Sequence, residues 1–144
     1  MAYFKYNTDK AEMVSIPHGA DIIQHITEHA KSEKITSGFF TAIGALQDAK
    51  IGFYDQKDHE YREKTIEEPR EIANCTGNIS LKNGKPFVHA HVVLSDNNYN
   101  VEAGHLTSGT VFAAEVHLTV LEGPSPRRKQ DKVTDLALWK KDKK

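Results

Sequence analysis

Three of the chain's eight histidines lie within residues 85–109, KPFVHAHVVLSDNNYNVEAGHLTSG. His89 and His91 are separated by one residue in an apolar run, and His105 follows after a polar turn. Histidines two residues apart on a β-strand point to the same side, with Cα atoms roughly 6.5–7 Å apart. From that spacing two imidazole nitrogens can converge on one metal ion at about 2.0–2.1 Å. The pattern indicates a metal site, which His105 closes if the turn brings the chain back.

The histidine strand keeps its core-facing residues on the opposite side. That apolar face consists of Val88, Ala90, Val92 and Leu94. The alternative interpretation is that the histidines are surface residues or satisfied hydrogen-bonding groups, as many pairs at this spacing are. If a metal is bound, three histidines without a cysteine leave a fourth position open, which is typical of catalytic rather than structural zinc sites.

A second alternating segment follows at residues 109–123, GTVFAAEVHLTVLEG. Its predicted apolar face holds Phe112, Ala114, Val116, Leu118 and Val120. Glu115 and His117 lie on the other face, and they point the same way as His89 and His91 if the two strands lie close together. Glu115 could then be a fourth ligand, a group that orients a ligand, or a catalytic group that transfers protons.

The remaining pattern predicts the elements that position these side chains. Residues 11–16 predict a first strand, and residues 18–34 a helix with Asp21 near its positive end. Residues 39–56 predict two strands joined by a turn at Gln47 and Asp48, and the charged residues 58–68 predict an exposed edge strand. Asn83-Gly84 predicts a tight hairpin between strands at about 71–81 and 86–95.

These elements predict an α+β fold, in which one or two helices pack on a central, largely antiparallel sheet. At 144 residues the chain is expected to form a single domain, with its core at about 12–122 and a C-terminal tail at 123–144. The strand at 109–123 would be the last one. In the tail, Leu136, Leu138 and Trp139 are expected to pack down before the chain frays into lysines.

Charge and composition limit the possible functions. The formal net charge is −1, so no global basic field favours nucleic acid. Residues 127–144 carry eight basic and three acidic residues, whereas residues 1–126 carry a net charge of −6. Only the tail could therefore contact phosphates. The single cysteine, Cys75, permits no internal disulfide.

The N-terminal sequence lacks the apolar core of a signal peptide, and no apolar stretch approaches the length of a membrane span. We therefore expect a cytoplasmic protein with no membrane partner. His25 and His29 are four residues apart on the predicted helix and could chelate, but a boundary position on a solvated face is the simpler interpretation.

Several motifs together resemble the plants-and-prokaryotes conserved (PPC) domain, in its stand-alone prokaryotic form. They are GALQDAKIGFYD, EIANCTGNISLKNGKPFVHAHVVLSD, GHL and FAAEVHL, in this order, and the resemblance covers about residues 12–122. It implies an α+β fold and a homotrimer. It also implies zinc held by His89, His91 and His105, since some prokaryotic members bind zinc through the matching histidines. One departure is Ala103, where the family usually has glycine; an alanine would be strained there if the position needs positive φ.

Two functions remain open at this stage. The resemblance implies a homotrimeric metal-binding protein that carries the family's DNA-binding label. The alternative is a zinc-dependent enzyme acting on a small polar substrate, in outline like acetolactate decarboxylase. The sequence does not decide whether the protein is an enzyme, and it names neither a small-molecule ligand nor a DNA site.

Overall fold

The computed structural model describes residues 2–140. Over this range the chain forms one helix and eight strands, in agreement with the predicted α+β class. In chain order they are β1 (Asn7–Ile16), α1 (Ile22–Ser32), β2 (Gly38–Asp55), β3 (Glu60–Ile66), β4 (Arg70–Lys82), β5 (Lys85–Ser95), β6 (Val101–Glu122), β7 (Arg127–Gln130) and β8 (Ala137–Lys140).

The central strands form a sheet that closes on itself. β2 pairs with β6, β6 with β5, β5 with β4, and β4 pairs back with β2. β1 pairs with β6, β3 lies at the edge beside β2, and β7 and β8 extend the sheet from β4. All pairings are antiparallel except β4–β7. Closure leaves each central strand with an inner face toward the core and an outer face toward solvent.

Helix α1 packs against β5 and β6. Asp21 caps its N-terminus by accepting a hydrogen bond from the backbone N–H of Gln24 at 2.8 Å. The second carboxylate oxygen of Asp21 accepts from the N–H of Gly109 at 2.8 Å, which ties the helix to β6. No helix within residues 2–140 is long and apolar enough to cross a membrane.

The core lies between this helix and the inner face of the sheet. The predicted inner residues of β5 are all buried, and α1 contributes the buried residues Ile22, Ile26 and Ala30, which follow helical spacing. The fully buried side chains with the largest volumes include Phe40, Ile22, Leu46, Ile79, Leu94, Leu106 and Leu118. The outer face is therefore free to carry the polar residues of a site.

Two details of the predicted strands are wrong. Residues 38–55 form one continuous strand, without a turn at Gln47 and Asp48. Ala45 pairs with Ala113 and Leu46 with Val111, so Phe112 is an extra residue on β6 and the alternation reverses there. Phe112 is consequently exposed and Val111 is fully buried, the opposite of the predicted faces. The break in alternation between β2 and β6 is therefore a β-bulge and not a turn.

The β4–β5 hairpin is confirmed, because Lys82 pairs with Lys85 and both Asn83 and Gly84 have positive φ. The edge strand β3 is confirmed as well. The expectation that β6 is the last strand is wrong, since the tail adds β7 and β8, and β7 pairs with β4. The lysines predicted to fray at the end of the tail, from residue 141 on, lie outside the described residues.

Candidate metal centre

His91 and His105 are direct partners in the β5–β6 ladder, and His89 lies two residues from His91 on the same face of β5. One nitrogen of each of the three imidazoles lies within 4.8 Å of the others. The ring centroids are 5.0 to 5.7 Å apart. The three histidines predicted from the sequence therefore come together and form a cluster that can hold a metal ion.

Partial burial favours the neutral form of two members of the cluster, His89 and His105. Burial lowers the pKa of His89 to about 4, and electrostatic repulsion from Arg128, followed by that from His105 and His91, lowers it further. Burial also lowers the pKa of His105, with smaller contributions from His91 and Arg128. A neutral imidazole offers one lone pair to a metal. Near pH 7 both groups are therefore in the state that binds a cation.

One nitrogen of the cluster has no hydrogen-bond partner among the described residues, 2–140. The Nδ1 atom of His105 is buried from solvent and makes no hydrogen bond. A buried polar atom without a partner costs about 1–3 kcal/mol, and native proteins rarely tolerate one without a reason. A metal ion or a bound ligand at the cluster is the kind of partner that would remove this cost.

Glycines let β6 approach β2 closely at His105. A Cβ atom on Gly104 would lie 2.7 Å from the carbonyl oxygen of Gly52, which is closer than atoms can pack. Gly52 pairs with His105 itself, and its missing side chain leaves room for the ring of Tyr61. Ala103 is an exposed strand residue without positive φ, so the strain considered for this position does not arise.

The neighbours of His105 include an aromatic and an acidic residue that the sequence did not single out. The Tyr61 ring lies 5.4 Å from the His105 ring, centroid to centroid. Glu63 is close enough for its negative charge to oppose the lowering of the His105 pKa. Glu63 also pairs with Lys50 at 3.1 Å and accepts a hydrogen bond from Thr107.

His89 has a cationic neighbour from the tail. Nη2 of Arg128 lies 3.4 Å from Nδ1 of His89 and donates to Asn78 Oδ1 at 2.9 Å. Nε of Arg128 donates to Ser80 Oγ at 2.8 Å. The tail therefore reaches the outer face of β4 and β5 and places a guanidinium beside the histidine cluster.

A cleft opens onto the cluster. It has a volume of about 320 Å³ and is lined by Phe39, Thr76, Gly77, Asn78, His89 and His91. Gly77 belongs to the floor, where a Cβ atom would lie 2.4 Å from the Phe40 ring and 2.6 Å from the carbonyl oxygen of His89. The cleft is large enough for a small molecule, and two of the three histidines, His89 and His91, line it.

The structure does not bring Glu115 to the cluster, so the predicted catalytic or ligand role is not supported within one chain. The part of β6 that pairs with β5 is Val101–His105, whereas Glu115 pairs with Ser15 and Ile43. Ten residues of strand separate it from His105, about 30 Å along β6. His117 lies on the same distant part of the strand and is exposed. The prediction assumed that the whole of β6 runs beside β5.

His18, His29 and Cys75 lie outside the cluster, and contacts within the fold account for them. His29 Nε2 lies 2.6 Å from Glu12 Oε2, so it is engaged in a hydrogen bond with a carboxylate at the helix boundary. His18 bonds the carbonyl oxygen of Phe112. Burial raises the pKa of Cys75 to about 12, which argues against a reactive thiolate.

Comparison with known proteins places the chain in a family. The family model of the Plants and Prokaryotes Conserved domain matches residues 3–122. The chain belongs to this family. Residues 123–140, which include Arg128, follow the matched part of the PPC domain. No curated protein matches the chain.

Several solved structures, one of them of a PPC protein, share the fold closely. A metal-containing protein from Archaeoglobus fulgidus is 39% identical with a TM-score of 0.95, over 98% of this chain and all of the other. A PPC protein from Pyrococcus horikoshii is 35% identical with a TM-score of 0.93, over 99% of both chains. A Ralstonia eutropha protein named as a candidate DNA-binding protein is 30% identical with a TM-score of 0.84, over 96% of both chains.

Proposed function

We propose that this PPC protein binds one divalent metal ion of the zinc class through His89, His91 and His105. The observation that carries the proposal is the convergence of three imidazole nitrogens within 4.8 Å. Two further facts support it: the buried, unpartnered Nδ1 of His105, and the description of the similar protein from Archaeoglobus fulgidus as metal-containing. Imidazole suits zinc, copper, iron and nickel, and three protein ligands with one open position are typical of catalytic zinc sites.

The test is the metal content of the purified protein after zinc loading and dialysis. We expect about one zinc ion per chain in the wild type, and a sharp loss in His91→Ala. His25→Ala is the matched control, since this histidine lies on α1 and does not belong to the cluster. Stoichiometric zinc in His91→Ala, or equal losses in the two variants, would overturn the proposal.

We also propose that the protein assembles as a homotrimer, as the family resemblance implies. Support comes from the outer face of β1, β2 and β6, where Met13 and Ile43 are 81% and 58% exposed. They line a groove of about 430 Å³ together with Thr41, Glu115 and His117. Apolar side chains exposed together often mark protein interfaces.

Light scattering at micromolar concentration tests the assembly. We expect a mass near three times the 16.2 kDa of the chain, and a lower mass for Ile43→Glu, which would bury a charge in the interface. A monomeric wild type contradicts the homotrimer. A trimeric Ile43→Glu protein would instead show that assembly uses a different surface.

A second candidate function is catalysis on a small polar substrate, which the cleft beside His89 and His91 favours. A zinc ion with an open position supplies Lewis acidity when it is bound. In this chain the walls of the cleft would position the substrate through Thr76 and Asn78. Turnover of small carbonyl compounds by the zinc-loaded wild type, lost in His91→Ala, would support an enzyme.

DNA binding is the weaker proposal. Two similar proteins are named as candidate DNA-binding proteins, but residues 1–126 of this chain carry a net charge of −6. The positive tail is also partly engaged in the fold, since β7 pairs with β4. We therefore propose that any contact with DNA is weak and independent of sequence.

A further inference from the structure

Arg128 is held rigidly beside the histidine cluster. Besides its bonds to Ser80 and Asn78, it donates from Nη1 to the carbonyl oxygen of Ala137 at 3.0 Å. Its guanidinium carbon lies 5.2 Å from the centroid of the Phe87 ring and 5.6 Å from that of Trp139. A side chain fixed by three hydrogen bonds and two aromatic rings is pre-organised for recognition.

This guanidinium has no acidic partner among residues 2–140, where the three oxygens that accept its hydrogen bonds are all neutral. Burial lowers the pKa of the Arg128 guanidinium, and the electrostatic interaction with Tyr61 opposes this lowering. A partly buried charge is costly unless an opposite charge compensates it. The site therefore carries an uncompensated positive charge before any metal is bound.

A metal ion makes the imbalance larger. Three neutral histidines would leave the full charge of a divalent ion in place, and Arg128, whose Nη2 lies 3.4 Å from Nδ1 of His89, adds one more positive charge. Glu63 is a carboxylate whose charge acts on His105, and it is already paired with Lys50. An anion entering the cleft would be attracted by both cations.

The guanidinium also has an N–H group that can donate a hydrogen bond toward the cluster. Of its five N–H groups, three make the bonds to Ser80, Asn78 and Ala137, and a second N–H on Nη2 is directed toward His89. The Nη2–Nδ1 distance of 3.4 Å makes this contact a weak bond. A carboxylate or phosphate oxygen would be a better acceptor, since charge-assisted bonds to Arg are short and strong.

We propose that the centre binds a small oxyanion, a carboxylate or phosphate group, between the open position of the metal and the guanidinium of Arg128. This inference rests on the proposed metal site. Arg128 is the residue that selects the charge of the ligand, and the cleft at Phe39, Thr76 and Asn78 receives the rest of the molecule. No covalent bond of the anion is made or broken in this step, because the anion is bound and not transformed.

The experiment uses the full chain loaded with one equivalent of Co²⁺ and freed of excess metal. Cobalt reports on its own coordination through its visible absorption. Acetate and inorganic phosphate are titrated separately, so that the two kinds of oxyanion are distinguished. We expect a saturable spectral change with at least one of them in the wild type, and at least tenfold weaker binding in Arg128→Gln.

Two variants separate recognition from structure. Arg62→Gln removes a positive charge from an exposed ion pair with Asp55, on the face of β3 opposite to Tyr61 and Glu63, and should bind the anion like the wild type. Arg128→Lys keeps the charge without the planar fork and should fall between the wild type and Arg128→Gln. A merely structural role for Arg128 would lower the melting temperature and leave the affinity for the anion unchanged in the folded fraction.

The outcomes also separate this inference from the metal site. Normal Co²⁺ content with no spectral response to either anion overturns the oxyanion site and leaves the metal site standing. Equal anion affinity in the wild type and Arg128→Gln also overturns it. A wild type that takes up no Co²⁺ contradicts the metal proposal itself, and the oxyanion site is rejected with it.

Discussion

His91 and His105 occupy directly opposed positions on neighbouring antiparallel strands, with ring centroids 5.7 Å apart. They are 14 residues apart in the chain, and the β5–β6 ladder makes them neighbours. Opposed residues on such a pair have Cβ atoms about 4.5–5.5 Å apart, so the register of this ladder determines whether the cluster exists. A shift of one residue would turn His105 to the other face.

Replacing Gly104 with alanine should disturb both this ladder and the metal site. The new Cβ atom would meet the backbone carbonyl of Gly52 at 2.7 Å, and backbone cannot move away as a flexible side chain can. We expect a loss of about 1–3 kcal/mol in the free energy of unfolding, typical of overpacking, together with weaker zinc binding. Urea unfolding and zinc titration measure the two effects.

The neighbouring position supplies the control. Ala103→Gly changes an exposed residue of the same strand and should cost no more than about 1 kcal/mol, with zinc binding unchanged. A Gly104→Ala protein that unfolds and binds zinc like the wild type would show that the close approach of β6 to β2 is unimportant.

Stability of the metal-free protein should depend on pH through His89. Its pKa is about 4 in the folded chain, against 6.5 for an ordinary histidine. Between these values the unfolded chain binds the additional proton, so stability is fully present above about pH 6.5 and is lost as the pH falls toward 4. Urea unfolding from pH 7.5 to 4.5 should show this decline.

His89→Gln removes the titrating group and is the appropriate comparison, because carboxylates also titrate at the acidic end of this range. The decline between pH 6.5 and 4.5 should be shallower in His89→Gln than in the wild type. Identical slopes in the two proteins would mean that His89 is not held neutral by its surroundings.

DNA affinity should remain in the ordinary non-specific range, roughly 10⁻⁴–10⁻⁶ M at physiological salt. The acidic body repels a duplex, and no described element supplies an arginine-rich arm to read a narrow minor groove. Titration of labelled A·T-rich and G·C-rich duplexes at about 0.15 M salt measures this. Nanomolar affinity, or an A·T preference lost on deleting residues 127–144, would show that the charge argument is wrong.

The sequence predicted the histidine face of β5 because its alternation is uninterrupted from Val88 to Leu94. It also predicted the hairpin, since Asn83-Gly84 favours a tight turn because these two residues tolerate positive φ. The apolar stripe of α1 was equally readable from its helical spacing. In each case the residues that decide the structure are adjacent or nearly adjacent in the chain.

The errors arose where pairing partners decide the structure. The bulge at Phe112 reverses the faces of β6 and depends on the register with β2, which the sequence of β6 alone does not contain. Glu115 was expected at the cluster for a related reason: only the first part of β6 runs beside β5.

Arg128 was missed because it lies among the eight basic residues of the tail, and nothing in its local sequence distinguishes it. Its importance comes from β7 pairing with β4, a contact between residues 46 positions apart. Tyr61 and Glu63 were likewise read as part of a charged edge strand. A recurring tail arginine at this spacing in related sequences would have been the signal to find it.

The central claim is that three histidines of one chain hold one metal ion, and a crystal grown with zinc tests it most directly. Anomalous diffraction recorded at the zinc edge locates the ion independently of any assumption about its ligands. The account predicts one strong peak per chain, about 2.0–2.1 Å from a nitrogen of each of His89, His91 and His105. A zinc peak elsewhere on the chain, or three histidines without a peak between them, would contradict it.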